Sequence, residues 1–117
     1  MIKTFGKHYI VDYIGCNKDI INSIDDIEEI MISVAKQVNT TIISSNFNQF
    51  YPYGVSGVLI ISESHFTIHT WVDEGFVAID MFVCDLDIDL DKAVELFKQK
   101  LQAKNYKIKK IMRDNIL

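Results

Sequence analysis

The chain has 117 residues, of which 49% are apolar and 24% charged, with a net charge of −4. Nineteen isoleucines and seven phenylalanines can bury a core, which excludes disorder over most of the length and suits a single domain over 1–117. One proline excludes a proline-rich chain, and apolar runs of at most four residues, such as Val58–Ile61, exclude a membrane-spanning helix, so no membrane partner is expected. The N-terminal stretch has no apolar signal-peptide core. With two cysteines and no secretory signal, reduced thiols and a cytoplasmic location are expected.

The charge is unevenly spread. Residues 1–91 hold 4 basic and 14 acidic side chains, and residues 92–117 hold 8 basic and 2 acidic. The basic stretch reads as a solvated helix and an edge strand guarded by lysines, not as a nucleic-acid surface. Only one of its eight cations is Arg, and no stacking aromatics accompany them. Asp85, Asp87, Asp89 and Asp91 alternate, but Leu90 and Leu96 stand where a calcium loop needs Gly and Glu. They read as a turn into an acidic first helical turn.

In chain order, His8–Ile14 reads as a strand. Ser23 with Asp26 marks a helix start, and Ile24, Ile27, Met31, Val34 and Ala35 form one stripe through about Asn39. Thr40–Phe50 alternates as a strand, and Tyr51-Pro-Tyr-Gly is a turn. Val55–Ser62 reads as a strand buried on both faces. Phe66–Trp71 and Phe76–Cys84 read as strands joined by the loop Val72-Asp-Glu-Gly. Asp89 through Lys104 reads as a helix with Asn105 as its stop, and Tyr106–Met112 as a last strand. The order β-α-β-β-β-β-α-β predicts an α+β two-layer sandwich, an antiparallel sheet with two helices on one face. The other face then needs a cover, which a dimer partner can supply.

No dinucleotide, Walker or H-E-x-x-H motif is present, and three histidines and two cysteines at wide spacing form no zinc pattern, so no metal is expected. Polar groups interrupt the apolar strands at Ser56, Ser62-Glu63-Ser64-His65, His69 and Cys84. Individually each has an ordinary reading: a small packing residue, a polar turn, a hydrogen-bonded strand histidine, a small buried thiol. Residue types alone leave a Cys-His hydrolase open as well.

The stretch Phe50-Tyr-Pro-Tyr-Gly-Val-Ser-Gly, Ser62-Glu-Ser-His, Thr67-Ile-His-Thr-Trp71 and Phe82-Val-Cys84 resembles the prokaryotic S-adenosylmethionine decarboxylase proenzyme family. The likeness extends upstream through Phe5-Gly-Lys-His-Tyr-Ile and Ile14-Gly-Cys and downstream to Lys92-Ala93. It implies a homodimeric enzyme that cleaves itself at Glu63-Ser64 into 1–63 and 64–117. Ser64 would become a pyruvoyl group that forms a Schiff base with the substrate amine and acts as an electron sink. His69 and Ser56 would assist processing. Cys84 would protonate the decarboxylated carbon, and Phe50 would stack on adenine. The product would be an aminopropyl donor for spermidine and other polyamines.

The family's Pro-Glu-Tyr-Gly-Tyr after His-Thr-Trp is Val-Asp-Glu-Gly-Phe here. Asp73 therefore stands where a glutamate is expected to grip the ribose hydroxyls, and Glu74 adds a second carboxylate. S-adenosylmethionine is the first substrate expected. Paired carboxylates would alternatively suit arginine or ornithine. A non-catalytic relative is a third reading, against which intact Ser64, His69 and Cys84 argue.

Overall fold

The strand runs and the two helical segments fold as expected in kind. The computed structural model describes residues 1–117, with β1 (Thr4–Ile14), α1 (Lys18–Ile21), α2 (Ile24–Gln37), β2 (Ile42–Gln49), β3 (Val55–Ile61), β4 (Ser64–Trp71), β5 (Phe76–Val83), α3 (Leu90–Lys100) and β6 (Asn105–Asp114). Every pairing is antiparallel, in one sheet ordered β2-β3-β4-β5-β1-β6. Both long helices are capped at their starts, α2 at the Ser23 that the sequence marks. Ser23 Oγ accepts from the Asp26 N–H at 3.2 Å, and the Asp89 carboxylate accepts from the Lys92 N–H at 3.0 Å. The short α1, capped by Asn17, is an addition to the expected pair.

One face of the sheet packs on the helices. Along β4, Phe66, Ile68 and Thr70 are buried while His65, Thr67, His69 and Trp71 alternate outward. In β5, Val77, Ile79, Met81 and Val83 are buried. These side chains join Ile27, Met31, Val34 and Phe97 from α2 and α3 in one core of 27 residues. No helix covers the opposite face, and none is long and apolar enough to cross a membrane.

Three expectations shift. β3 is buried on one face only: Val55, Leu59 and Ile61 point into the core, while Ser56 and Val58 are half-buried and Ile60 is exposed on the open face. The run of apolar residues there conceals an ordinary period of two. α3 ends at Lys100, with Gln102 taking the left-handed φ of 52° that terminates the helix before Asn105. Cys84 lies just past β5 and is exposed. The basic stretch behaves as expected: β6 is the edge strand, and Lys110 bonds Asp91 at 2.7 Å. The bond holds the Asp91 carboxyl below its usual range. Both partners are over half exposed, so the pair contributes little to stability.

Thr70 ties the sheet to α1. Its buried hydroxyl accepts from the Val55 N–H at 2.9 Å and donates to the Ile21 carbonyl at 2.9 Å. Thr70→Val keeps the shape but leaves both backbone groups unsatisfied. Urea unfolding is expected to show a loss of about 1–3 kcal/mol, with Thr70→Ser retaining most of it.

Candidate active site

The turn between β3 and β4 is fastened from two sides. The Ser62 N–H donates to the Thr41 carbonyl at 2.8 Å, and the Glu63 carboxylate accepts from the Thr41 N–H at 3.1 Å. The Glu63 carbonyl accepts from the Cys84 N–H at 2.8 Å. Ser64 follows with a φ of 145°, a conformation L-residues rarely hold and one that costs of order 1–3 kcal/mol. The pinned turn on one side and the β4–β5 ladder on the other keep it there. The Ser64 hydroxyl lies 3.1 Å from His65 Nδ1. A strained peptide, a carbonyl already polarised by an N–H donor and a hydroxyl beside an imidazole therefore meet at Glu63-Ser64. Such a carbonyl is prepared for attack, because the donor is aimed where negative charge would develop.

Around this turn lies a small aromatic cluster. His65 on β4 and His8 on β1 both pair with Phe82 on β5, which lies between them. Each imidazole centroid is 5.8 Å from the Phe82 ring. The Arg113 guanidinium sits 5.7 Å above the same ring. Gly6 makes room for it: a Cβ there would come within 2.7 Å of the Phe82 ring edge and of the Val83 carbonyl. Burial pushes the His8 imidazole below its usual value. Asp80 opposes that shift, while Arg113 and His65 add to it. His8 Nε2 is buried without a hydrogen-bond partner.

Ser56 and His69 are elsewhere. They are direct partners across β3 and β4, on the open face. With Asn46, Asn48, Val58 and Thr67 they line a shallow depression of about 330 Å³. Phe50, half exposed, lies beside this end of the sheet in the loop before β3, and Asp73 and Glu74 lie exposed in the β4–β5 loop. His69 is five residues along β4 from Ser64, about 17 Å at ~3.4 Å per residue. Within one chain, Ser64, Glu63 and Cys84 form one group, and Ser56, His69, Phe50, Asp73 and Glu74 another at the far end of the strands.

Comparison with known proteins gives this arrangement a family. The family model described as S-adenosylmethionine decarboxylase matches residues 7–114.

The chain belongs to that family.

A relative from Thermotoga petrophila, an S-adenosylmethionine decarboxylase proenzyme, is 45% identical over 103 residues, covering 88% of this chain and 79% of its own length. One of the same name from Clostridium botulinum is 41% identical over 115 residues, covering 98% and 99%. The crystal structure of the adenosylmethionine decarboxylase from Aquifex aeolicus superposes with a TM-score of 0.89 at 33% identity, over 98% of this chain and 94% of that one. The α+β sandwich is thus the architecture of the S-adenosylmethionine decarboxylases.

Nothing in the sequence alone assigns a role to His65, His8 or Phe82. His65 stood next to Ser64 in a polar cluster, which was a usable signal. His8 gave none, since only the strand order β4-β5-β1 brings it to Phe82.

Proposed function

We propose that the chain cuts its own Glu63–Ser64 bond into pieces 1–63 and 64–117, converts Ser64 to a pyruvoyl group, and decarboxylates S-adenosylmethionine to the aminopropyl donor for polyamine synthesis. The observation that carries this reading is the strained Ser64 next to a carbonyl held by the Cys84 N–H. Ser64 Oγ attacks the Glu63 carbonyl carbon. The C–N bond breaks, the hydroxyl proton ends on the Ser64 nitrogen, and Glu63 is left as an ester. Loss of the Ser64 Cα proton then breaks the Cβ–O bond and frees the Glu63 carboxylate. Water displaces the nitrogen as ammonia. The residues present fit the group, because only a side chain with oxygen on its β-carbon permits both steps. The pyruvoyl group supplies a sink for the electrons left when carbon dioxide departs.

The pieces have no reason to separate after the cut. β1 belongs to the first piece but lies between β5 and β6 of the second, and the β3–β4 ladder also crosses the cut.

The working unit is a homodimer packed through the open faces of the two sheets. Ser56 and His69 are about 17 Å from Ser64 in their own chain, beyond the reach of proton transfer. In a two-fold face-to-face pair with antiparallel β4 strands, the Ser64 end of one chain lies over the His69 end of the other. Each site then takes Glu63, Ser64 and Cys84 from one protomer. It takes His69 and Ser56 for processing, Phe50 for the adenine and Asp73 with Glu74 for the ribose hydroxyls from the partner. Half-exposed Trp71 and exposed Ile60 and Ile14 on the open face gain cover in this pairing.

The test is direct. Mass spectrometry of the purified chain is expected to give pieces 1–63 and 64–117, and the cut protein is expected to release carbon dioxide from S-adenosylmethionine. One uncut mass after long incubation, or release only from arginine or ornithine, refutes the reading. The exposed Cys84 thiol is the proton donor to the decarboxylated carbon. Cys84→Ala is therefore expected to cleave normally but to lose about 10²–10⁴-fold in carbon dioxide release. Unchanged turnover removes the thiol from that role.

A further inference from the structure

We propose that His65 is a catalytic residue of self-cleavage, the base that takes the Ser64 hydroxyl proton at Nδ1 and returns it to the Ser64 nitrogen. This rests on the reading that Ser64 cuts its own peptide bond. The hydroxyl makes one hydrogen bond, the 3.1 Å contact to His65 Nδ1. With the ring in its Nε2–H tautomer, Nδ1 is the acceptor and the serine O–H donates. The imidazole is held in place by its tilted contact with Phe82, which Gly6 admits and Arg113 caps.

The chemistry suits one nearby base. Attack of Oγ on the Glu63 carbonyl carbon closes a five-membered ring through Cβ, Cα and N of Ser64. Oγ, which loses the proton, and N, which must gain it for the C–N bond to break, are therefore members of the same small ring. An imidazole beside that ring can serve both atoms, taking the proton from one and returning it to the other. Negative charge on the carbonyl oxygen meets the Cys84 N–H. Nothing is oxidised, and the proton taken from oxygen is the one delivered to nitrogen. The amide-to-ester step is thereby completed within one chain, whereas His69 reaches the site only from the partner.

Two full-length variants, His65→Asn and His65→Ala, test this. Asn keeps a hydrogen-bond acceptor near the Nδ1 position but takes up no proton. Thermal melts and gel filtration verify folding and dimerisation, and His65→Asn decides the matter if His65→Ala does not fold. Cleavage of the folded variant, followed by mass spectrometry, is expected to slow about 100-fold or more. Hydroxylamine, which splits esters and leaves amides, is expected to release no 1–63 piece from it, because the block falls before the ester. Co-expression with a Ser64→Ala chain is expected to give no rescue, since the only intact serine always carries the altered residue 65 beside it. A folded His65→Asn chain that cleaves at the wild-type rate, accumulates a hydroxylamine-sensitive ester, or is rescued in that mixed dimer overturns the assignment. Wild-type chain that stays whole overturns the self-cleavage reading beneath it instead.

Discussion

Ser64→Ala is expected to leave the full 117-residue chain uncut and without decarboxylase activity. The substitution removes one oxygen, and that oxygen is both the attacking nucleophile and the leaving group on the β-carbon. Residual cleavage through water has no route through an ester, so the effect is a loss rather than a slowing. Folding is expected to survive. Ser64 is half-buried, and its hydroxyl bonds only His65, so the change in stability is about 0.5 kcal/mol or less. Alanine keeps the strained φ of 145°. Ser64→Gly relieves the strain and is expected to melt higher while also staying uncut. The pair separates strain from chemistry, because both lack the nucleophile and only one lacks the strain. Cleavage at position 63–64 in either variant, detected by mass, sinks the serine mechanism.

How much of this was legible in the sequence depends on range. The Ser23 cap, the apolar stripe it starts and the helix read from Asp89 onward are local signals, and the structure follows them. In β3 the run Val58–Ile61 is apolar on both faces, and burial there is decided by which face the helices cover, a tertiary fact. Gly57 shows the same limit. Phe47 on β2 lies across it so closely that a Cβ would sit within 2.0 Å of the ring, and only the β2–β3 register places the two together.

The site was legible as a motif and hidden as geometry. Ser64 and His69 look adjacent in sequence, yet the extended backbone holds them apart. Ser56 and His69 are thirteen positions apart and are direct partners. The Cys84 N–H on the Glu63 carbonyl is a backbone contact, to which the identity of the side chain gives no clue. His65 lay inside the recognised motif, but its bond to Ser64 follows from the unusual φ of the serine rather than from any spacing rule.

The separation of Ser64 from His69 makes the second large prediction. Alone, His69→Ala is expected to form dimers that process poorly, and Ser64→Ala to form dimers that do not process. Co-expressed, they form mixed dimers with two unlike sites. One site combines the intact Ser64 of the His69→Ala chain with the intact His69 of its partner. The other combines both substitutions and is dead. With equal expression and random pairing, about half of the His69→Ala chains lie in mixed dimers and are expected to be cut. Mass spectrometry identifies the cut chain, because its 64–117 piece carries the His69→Ala mass difference. Were the site built within one chain, neither partner would repair the other and the His69→Ala chain would be cut no faster in the mixture than alone. Cleavage of the His69→Ala chain in the mixture, against its slow cleavage alone, therefore measures what five residues of extended strand between Ser64 and His69 impose: His69 must come from the other molecule.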